Sequence, residues 1–323
     1  MGMNPVTFIY TNSLDLTVDL LISKIGSENI FRFNLDLWQE YKIKIDHSQF
    51  SIENPAGRCI TSSDIAKFYW RRPFMTQQLY PHRKIRPEIV YMQEEVSYAL
   101  RDMVNLAWSK GKLVLVEPMA DARIGKLVQL KVASKYFKIP PYKFVSGSAE
   151  FFEKGKSSIV KSLTSKRVNE NAVLYTTRVQ EDQLDPSAPW LIQDYVNASS
   201  DITIVFVRGK MYGFELNRES FLDKTVDWRE MGPDTATDAW CIHRLPKSLE
   251  HSVAHFMQDL GLHFGRLDML YANRDYFFLE VNANGEWAWL DFEGKVGLLE
   301  KMVEEISPKT PCHSIPVPRA IHA

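Results

Sequence analysis

The chain has 323 residues, 45% of them hydrophobic, which is enough to bury the cores of more than one domain. Its 39 Lys and Arg residues nearly balance 40 Asp and Glu residues, whereas a nucleic-acid-binding protein normally carries a basic surplus. No apolar run is long enough to cross a bilayer, and no signal peptide is recognisable. Three scattered cysteines, Cys59, Cys241 and Cys312, argue against a disulfide framework. We therefore predict a cytoplasmic protein without a membrane or nucleic-acid partner.

The first third of the chain predicts a small α/β domain over residues 1–120. Pro87 opens a long helix whose apolar positions recur at helical spacing as far as Ala107. Short β-like segments broken by turn residues fill the stretch from about residue 30 to residue 75. Apolar runs predict strands at residues 6–10, 68–70 and 113–116.

The middle of the chain predicts a β-rich domain over residues 121–195. It begins with a helix at 123–137, which Pro140 and Pro141 stop. The β-rich stretch that follows is the candidate for a lid over a binding site. Its strands are predicted at residues 143–145, 159–161, 173–178 and 190–196.

The third domain is predicted over residues 196–306 and is built on antiparallel hairpins. One hairpin turns at Arg208-Gly209-Lys210, and a second turns at Asn273-Arg274. A helix ending at Gly261 separates them, and a last helix extends to Ile306. The proline-rich tail at 307–323 is predicted to be flexible or extended.

The second hairpin carries the residues with the clearest chemistry. Glu280 and Asn282 share a strand face, and Asp268 lies opposite Leu279 or Glu280, depending on whether the turn holds two residues or three. In the second register three oxygen-bearing side chains converge, which suits Mg²⁺ with substrate phosphates. The alternative is a solvated polar hairpin face. We favour a metal site because these acceptors interrupt otherwise apolar strands, where they would be costly without a cation.

Asp268 followed by Glu280-x-Asn282 resembles the metal-binding signature of the ATP-grasp superfamily, and other motifs follow in the order of that family. The resemblance implies an ATP-grasp fold with an N-terminal α/β domain, a β-rich central lid and a C-terminal antiparallel-sheet domain. It implies that Lys126 and Lys161 contact the phosphates of ATP, although each lysine taken singly could be a solvated surface residue. It further implies that a hinge strand holds the adenine, and that an acidic residue holds the ribose or an active-site arginine. The hinge residues are Gln193, Asp194, Tyr195 and Val196, and the acidic residue is Asp201.

A narrower resemblance, to the microviridin-type peptide cyclases or graspetide synthetases, covers nearly the whole chain. Its motifs are Tyr69-Trp70-Arg71-Arg72-Pro73, Leu174-Tyr175-Thr176-Thr177, Val226-Asp227-Trp228-Arg229 and Asn284-Gly285-Glu286-Trp287-Ala288-Trp289. It implies a ligase that joins Asp or Glu side chains of a ribosomal precursor peptide, bound through leader and core, to Ser/Thr hydroxyls or Lys amines. It also suggests a homodimer. The chain departs from the pattern at Thr203, where related ligases commonly place arginine, and at Glu286, where glutamine is expected.

Four arginines have both functional and structural interpretations. Arg266 lies two residues before Asp268 on the same strand face, so it can reach charge that develops at an acyl phosphate. Arg229 could hold a substrate carboxylate through two hydrogen bonds. A structural ion pair is the alternative for both. Arg71 and Arg72 could be a solvated pair, or could bind phosphate or a carboxylate-rich peptide.

The expected reaction activates a carboxylate as an acyl phosphate, which a hydroxyl or amine then attacks. Two other functions remain open at this stage. One is a ligase that adds a free amino acid to a protein or small acid, as the ribosomal-protein glutamate ligases do. The other is a non-catalytic protein that binds nucleotide or peptide, which the complete set of predicted metal ligands argues against.

Overall fold

A computed structural model describes residues 5–147, 157–164, 176–180, 183–220, 239–313 and 315. The strands are β1 Val6–Thr11, β2 Ile30–Asn34, β3 Lys42–Ile45, β4 Phe50–Glu53, β5 Cys59–Thr61, β6 Ile65–Trp70, β7 Leu113–Val114, β8 Tyr142–Val145, β9 Ser158–Lys161, β10 Thr177–Val179, β11 Trp190–Asp194, β12 Ser200–Val207, β13 Lys210–Asn217, β14 Cys241–Ile242, β15 Phe264–Ala272 and β16 Asp275–Asn282. The helices are α1 Leu16–Ile25, α2 Thr76–Leu79, α3 Pro87–Ser109, α4 Ala120–Arg123, α5 Lys126–Ala133, α6 Lys247–Asp259 and α7 Leu298–Ile306. The fold is therefore mixed α/β.

The N-terminal sheet is parallel, with strand order β2-β1-β6-β7. Its strands are buried on both faces, and β1 accordingly reads as a continuous buried run. Helix α3 covers one face through Leu100, Met103 and Ala107, while β3, β4 and β5 form a separate antiparallel sheet. The last predicted strand of this region is shorter than expected, because Leu115 has a positive φ of 60° that ends the extended conformation.

The central sheet is antiparallel, with strand order β10-β9-β11-β8 and a small core of its own around Val160 and Ile192. The prediction of one helix at 123–137, before this sheet, is wrong. The segment divides into α4 and α5, because Gly125 has an extended conformation and becomes the N-terminal cap of α5. Lys126 therefore occupies the first turn of α5, as the sequence predicts.

The C-terminal sheet is antiparallel, with strand order β14-β13-β12-β15-β16. One of its faces is covered by α5 and α6. On the other face, Val205 and Phe264 share a single hydrophobic cluster with Ile9 and Tyr69 of the N-terminal sheet. The two sheets are thus joined by a common core, and this core sets the relative position of the residues at their polar ends.

The β15–β16 hairpin reaches the predicted convergent register by a route that the sequence did not predict. The turn holds only two residues, Asn273 and Arg274, and yet Asp268 pairs with Glu280. A β-bulge between the Asp268 and Met269 positions makes this register possible. Leu279 is the extra residue on β16, with no residue opposite it on β15. Leu279 packs on the cluster of Leu270 and Ala272, so apolar packing accompanies the register shift.

The segment after α7 lies along β6 and α3. The buried Lys67 ammonium donates to the Glu305 carbonyl (2.8 Å) and to the Thr310 hydroxyl (2.9 Å). Trp108 donates to the carbonyl of Ile315 (2.9 Å), whose side chain is buried. Residues 307–313 contain no helix or strand, and 316–323 lie outside the described residues. Within the described chain, no helix is both long and apolar enough to cross a membrane.

The turn of the β15–β16 hairpin offers a stability test, because both of its residues have a positive φ (52° at Asn273 and 66° at Arg274). Such a turn favours Asn-Gly. We predict that Arg274→Gly stabilises the protein by about 0.5–1 kcal/mol, since glycine relieves the steric cost of the left-handed conformation. Chemical denaturation measures the change. Arg274→Ala is the matched control, and equal stabilisation by alanine would contradict the backbone explanation.

Candidate active site

A cleft of about 1010 Å³ opens between the end of β6, the start of α5 and the β15–β16 hairpin. The N-terminal wall includes Trp70, Arg72 and Phe74, and the opposite wall carries the polar end of the hairpin. Its volume is at the upper end of the range of small-molecule sites. The cleft brings together predicted site residues that are far apart in sequence, namely Lys126, Arg266, Glu280 and Asn282.

The polar residues of the hairpin lie on one face of the C-terminal sheet. Arg266 pairs across the strands with Asn282, and Asp268 pairs with Glu280, so the four side chains form two adjacent cross-strand pairs. On the same face of β15, Phe264 lies in the core shared with the N-terminal sheet and Leu270 in a second apolar cluster. The polar pairs therefore interrupt an otherwise apolar face, as the sequence predicts.

Each hairpin carboxylate has a cation beside it. Arg266 donates to Asp268 Oδ2 (3.2 Å), and the Lys126 ammonium lies 3.2 Å from Glu280 Oε2. The Thr203 hydroxyl also donates to Asp268 Oδ1 (3.0 Å), so the residue that departs from the arginine pattern orients this carboxylate. Within the described residues, no group of three His, Cys, Asp or Glu side chains could hold a metal ion. Two carboxylates and an amide oxygen nevertheless fit Mg²⁺, which keeps waters and substrate phosphates among its ligands.

Two residues hold this hairpin in place: Gln129, which no sequence motif marks, and Gly285, which belongs to a motif but was given no role of its own. The Gln129 side chain accepts a hydrogen bond from Val281 N (2.9 Å), which lies between Glu280 and Asn282 on the outer edge of the sheet. Gly285 lies against the cross-strand pair of Arg266 and Asn282, because a Cβ at residue 285 would stand 2.9 Å from Arg266 Cβ and 3.2 Å from Asn282 Cβ. A glycine is therefore needed for the chain to turn this close to the hairpin. The only signal for Gln129 in the sequence is its position as a polar residue among the apolar residues of the predicted helix.

Arg71 is the deepest charge near the cleft, with a side-chain exposure of 0%. Its guanidinium forms ion pairs with Asp15, at 3.4 Å from Nε, and with Glu286. It also donates to the backbone carbonyls of Asn284 and Gly285, each at 3.2 Å. Arg71 thus links the N-terminus of α1 to the loop that follows the hairpin. A solvated pair at Arg71-Arg72 is therefore wrong for Arg71.

Glu286 is shared by Arg71 and Arg72, and it accepts a hydrogen bond from the Thr17 hydroxyl (3.2 Å). Burial alone would raise the pKa of Glu286, but the positive charges of Arg71 and Arg72 lower it below its usual range. Glu286 is therefore ionised at neutral pH. Its backbone carbonyl accepts a hydrogen bond from Arg266 (3.2 Å), so the same loop also orients the arginine beside Asp268.

The second predicted lysine and the predicted hinge lie on the central sheet. Lys161 ends β9 and pairs across the strands with Leu191, and Gln193 pairs with Ile159. Lys161 and Gln193 therefore occupy the same sheet face, opposite the small core around Ile192. Both amide atoms of Gln193 are buried, and neither has a hydrogen-bond partner within the described residues. Such a group calls for a ligand or water, which fits a site that reads a polar base edge.

The remaining hinge residues have structural contacts. Asp194 is buried and its backbone N–H bonds to the Pro141 carbonyl (2.9 Å). The Tyr195 ring lies beneath the Arg178 guanidinium (4.4 Å), and Val196 packs on the cluster around Leu270.

The predicted ribose or arginine contact already has a partner. Both carboxylate oxygens of Asp201 accept hydrogen bonds from Arg218 (2.8 and 2.9 Å). Asp201 therefore holds an arginine, but Arg218 is not among the described residues that line the cleft. As outlined by the described residues, the 1010 Å³ cleft does not include Asp268, Lys161, the hinge or Asp201 in its lining. The prediction for Arg229 lies outside the described residues, as do Asp227 and Trp228.

Comparison with solved structures identifies the fold. An ATP-grasp ligase associated with RiPP production in Chryseobacterium gregarium, solved with ADP and a leader and core peptide, is 22% identical, with a TM-score of 0.75 over 98% of this chain and 100% of that chain. The macrocyclase MdnC of Microcystis aeruginosa MRC, bound to its precursor peptide MdnA, is 21% identical, with a TM-score of 0.76 over 94% and 99% of the two chains. The ATP-grasp ligase PsnB, complexed with minimal precursor, Mg and ADP, is 14% identical, with a TM-score of 0.66 over 94% and 98%.

The chain therefore has the ATP-grasp fold, and the fold prediction is confirmed over nearly its whole length. Neither a search of protein families nor a search of curated proteins found a match.

The buried position of Arg71 gives a test of the link between α1 and the loop after the hairpin. We predict that Arg71→Met destabilises the protein by about 3–5 kcal/mol, because it leaves the carboxylates of Asp15 and Glu286 with less compensating charge. Denaturant unfolding measures the loss. The matched control is Arg101→Met, which removes a partly exposed guanidinium stacked on Tyr98 (4.1 Å) and should cost less than about 1 kcal/mol. Equal losses in the two variants would contradict a linking role.

Proposed function

We propose that the chain is an ATP-dependent ligase of RiPP biosynthesis that joins Asp or Glu side chains of a ribosomal precursor peptide to Ser/Thr hydroxyls or Lys amines. The observation that carries the proposal is the pairing of Asp268 with Glu280, beside Asn282 and Arg266, at a large cleft of an ATP-grasp fold. Support for the peptide substrate comes from similar structures described as complexes with precursor or leader and core peptides. The structural similarity covers nearly all of this chain and nearly all of each ligase it is compared with.

The proposed cofactors are ATP and Mg²⁺. Asp268, Glu280 and Asn282 would hold the metal, which when bound offsets charge on the phosphate oxygens. Lys126 and Lys161 would contact the phosphates of ATP. The hinge of Gln193, Asp194, Tyr195 and Val196 would hold the adenine, a role that the unsatisfied Gln193 amide supports. For Asp201, its ion pair with Arg218 supports a role in holding an arginine.

In the proposed reaction a substrate carboxylate attacks the γ-phosphorus of ATP, which gives an acyl phosphate and ADP. A hydroxyl or amine of the peptide then attacks the acyl carbon, loses its proton, and displaces phosphate. Arg266 is placed to offset the charge that develops on the reacting oxygens, and Arg229 is proposed to hold a substrate carboxylate. Because water would hydrolyse the acyl phosphate, the site needs a cover.

The proposed cover is the β-rich stretch from about residue 142 to residue 187, within a proposed central domain at 121–195 that lies between an N-terminal domain at 1–120 and a C-terminal domain at 196–306. A contact supports it, since Lys126 donates to the Ser162 carbonyl (2.9 Å) just beyond β9. Leu163 and Thr164 of the same segment also line the cleft. The central sheet thus already contacts the site through the lysine that is proposed to bind phosphate.

The fold alone does not separate peptide cyclisation from small-molecule ligation, because a D-cycloserine synthetase is also similar, at 14% identity and a TM-score of 0.53. The higher TM-scores of the peptide-bound ligases support the peptide substrate. An amino-acid-adding ligase and a non-catalytic binder remain as outcomes of the tests below.

We also propose a cytoplasmic location, which fits three cysteines that are free in the structure, and a homodimer, which rests on the family resemblance.

The function is tested by mass spectrometry. Wild-type protein with ATP and Mg²⁺ should remove one water per new bond from a short Glu/Asp- and Ser/Thr-bearing peptide encoded beside its gene. We predict that Asp268→Asn and Glu280→Gln remain folded but lose at least about a hundredfold of this activity, because the charge on phosphate is no longer offset. Glu53→Gln, which removes a different Lys–Glu pair at 2.7 Å, is the matched control and should keep full activity.

If none of these peptides loses water while ATP is consumed with a free amino acid, the amino-acid-adding ligase becomes the better conclusion. If wild-type protein binds ATP and peptide but never consumes ATP, the non-catalytic binder becomes the better conclusion.

The role of Lys126 is tested by nucleotide binding. We predict that Lys126→Met weakens ATP affinity about ten- to hundredfold, because a charged hydrogen bond to phosphate is worth about 1.5–3 kcal/mol. Thermal stability should change little, since the ammonium is partly exposed in the cleft. Calorimetric titration measures the affinity, with Lys42→Met as the control for loss of a surface lysine. Unchanged ATP affinity would remove Lys126 from the phosphate site.

A further inference from the structure

We propose that Arg72 is a specificity-determining residue that receives the side-chain carboxylate of the peptide substrate, and that Glu286 occupies this position until the substrate arrives. The proposal rests on the proposed ligase function and concerns a residue with no role in the reaction described above. It begins with an asymmetry in the arginine network. The side chain of Arg71 has no exposure, whereas that of Arg72 is 30% exposed and that of Glu286 is 40% exposed.

The backbone explains why two consecutive arginines reach one carboxylate. Successive side chains of a strand point to opposite faces, so Arg71 and Arg72 would diverge if β6 continued. Arg72 instead has a positive φ of 48°, which is uncommon for a residue with a long side chain. Asn12 stabilises the bend by donating to the Arg72 carbonyl (2.9 Å). An unfavourable backbone conformation is thus maintained, and its effect is to turn the Arg72 guanidinium into the cleft.

The surroundings of Arg72 fit recognition of a carboxylate. Its guanidinium stacks on the Phe74 ring (4.7 Å), which restricts the side chain before any ligand binds. Both residues line the same cleft as Arg266 and the metal-site residues Glu280 and Asn282. The partner that Arg72 already binds is a carboxylate, so the geometry of the pair shows which chemistry this guanidinium accepts.

An exchange is physically reasonable because Glu286 has two arginine partners of different burial. When a substrate carboxylate takes Arg72, Glu286 keeps its ion pair with the buried Arg71 and its hydrogen bond from Thr17. No buried charge is left without a partner, so the large penalty of breaking a buried pair does not arise. The contact that breaks, between Glu286 and Arg72, is on the exposed side of the network. A neutral ligand brings no such replacement, and it would leave Arg72 with Glu286.

The first test measures binding without turnover. The probe is N-acetylglutamate α-amide, with N-acetylglutamine α-amide as its neutral match, and ¹⁵N NMR of the full chain follows the Nε–H signal of Arg72. Arg72→Asn assigns this signal, because asparagine tolerates a positive φ and should leave the fold intact. The glutamate probe should shift the Arg72 signal and leave that of Arg101 unmoved, while the glutamine probe shifts neither. The midpoint of the titration should fall about tenfold in Glu286→Gln, which removes the competing carboxylate.

The second test measures activation of the same probe with ATP and Mg²⁺, with hydroxylamine trapping the acyl phosphate as a hydroxamate. Arg72→Asn should raise the half-saturating probe concentration about tenfold and leave that of ATP unchanged. Glu286→Gln should lower the half-saturating probe concentration, and Arg72→Lys should fall between wild type and Arg72→Asn. Damage to the fold would instead move both variants in the same direction. Arg101→Asn, the matched control, should match wild type.

An Arg72 signal that the glutamate probe fails to move, both in wild type and in Glu286→Gln, overturns the proposal. An increase in the half-saturating ATP concentration in Arg72→Asn, with the probe value unchanged, also overturns it and assigns Arg72 to phosphate. If wild type forms no hydroxamate and dehydrates no peptide, the proposed ligase function fails. The NMR titration then still decides whether Arg72 receives a carboxylate, so the two failures are distinguishable.

Discussion

The buried guanidinium of Arg71 is the constraint on which the arrangement of the cleft depends. A charge without solvent must be balanced where it lies, and here the balance comes from Asp15 in the N-terminal domain and Glu286 beyond the hairpin. Moving α1 away from the loop after the hairpin would leave at least one of these charges uncompensated. The apolar cluster that joins Ile9 to Val205 resists the same movement. The cleft therefore lies between walls whose separation is fixed by both charge and packing.

The hairpin and the shared face of its polar residues could be predicted because they follow from local patterns, whereas the ATP-grasp fold was predicted from the order of motifs that resemble that family. Alternating polar and apolar residues place Glu280 and Asn282 on one face, and a two-residue turn closes the hairpin. The bulge at Leu279 escapes such reasoning, since it depends on apolar packing with residues from β15 and from the segment after β11. The break between α4 and α5 could not be predicted either, because a single glycine inside a helical pattern is commonly tolerated.

The contacts of the arginine network could not be predicted from sequence. Arg71 and Glu286 are 215 residues apart, and they meet only because two sheets share a core and the chain bends at Arg72. The sequence pattern did mark Glu286 as a departure from the expected glutamine. The departure gains a physical meaning from the structure, because an ionised carboxylate at this position can hold two guanidinium groups at once, whereas a glutamine amide carries no charge to offset theirs.

Three ion pairs lie at the cleft or directly behind its wall, namely Arg266 with Asp268, Lys126 with Glu280 and Arg72 with Glu286, and together they explain how such a polar site is stable without ligands. Each charge is already offset, so the cleft does not incur the cost of isolated charges near a low-dielectric core. The same pairing sets a condition for binding. On the proposed function, a metal ion that takes the carboxylates must bind together with anions that take the lysine and the arginines, since otherwise one partner of each ion pair is left without an opposite charge. Magnesium, nucleotide phosphates and a substrate carboxylate meet this condition jointly, and none of them meets it alone. On the proposed function, the ion pairs of the ligand-free cleft therefore favour binding of the ligands as a set, which restricts phosphoryl transfer to the moment when all reactants are present.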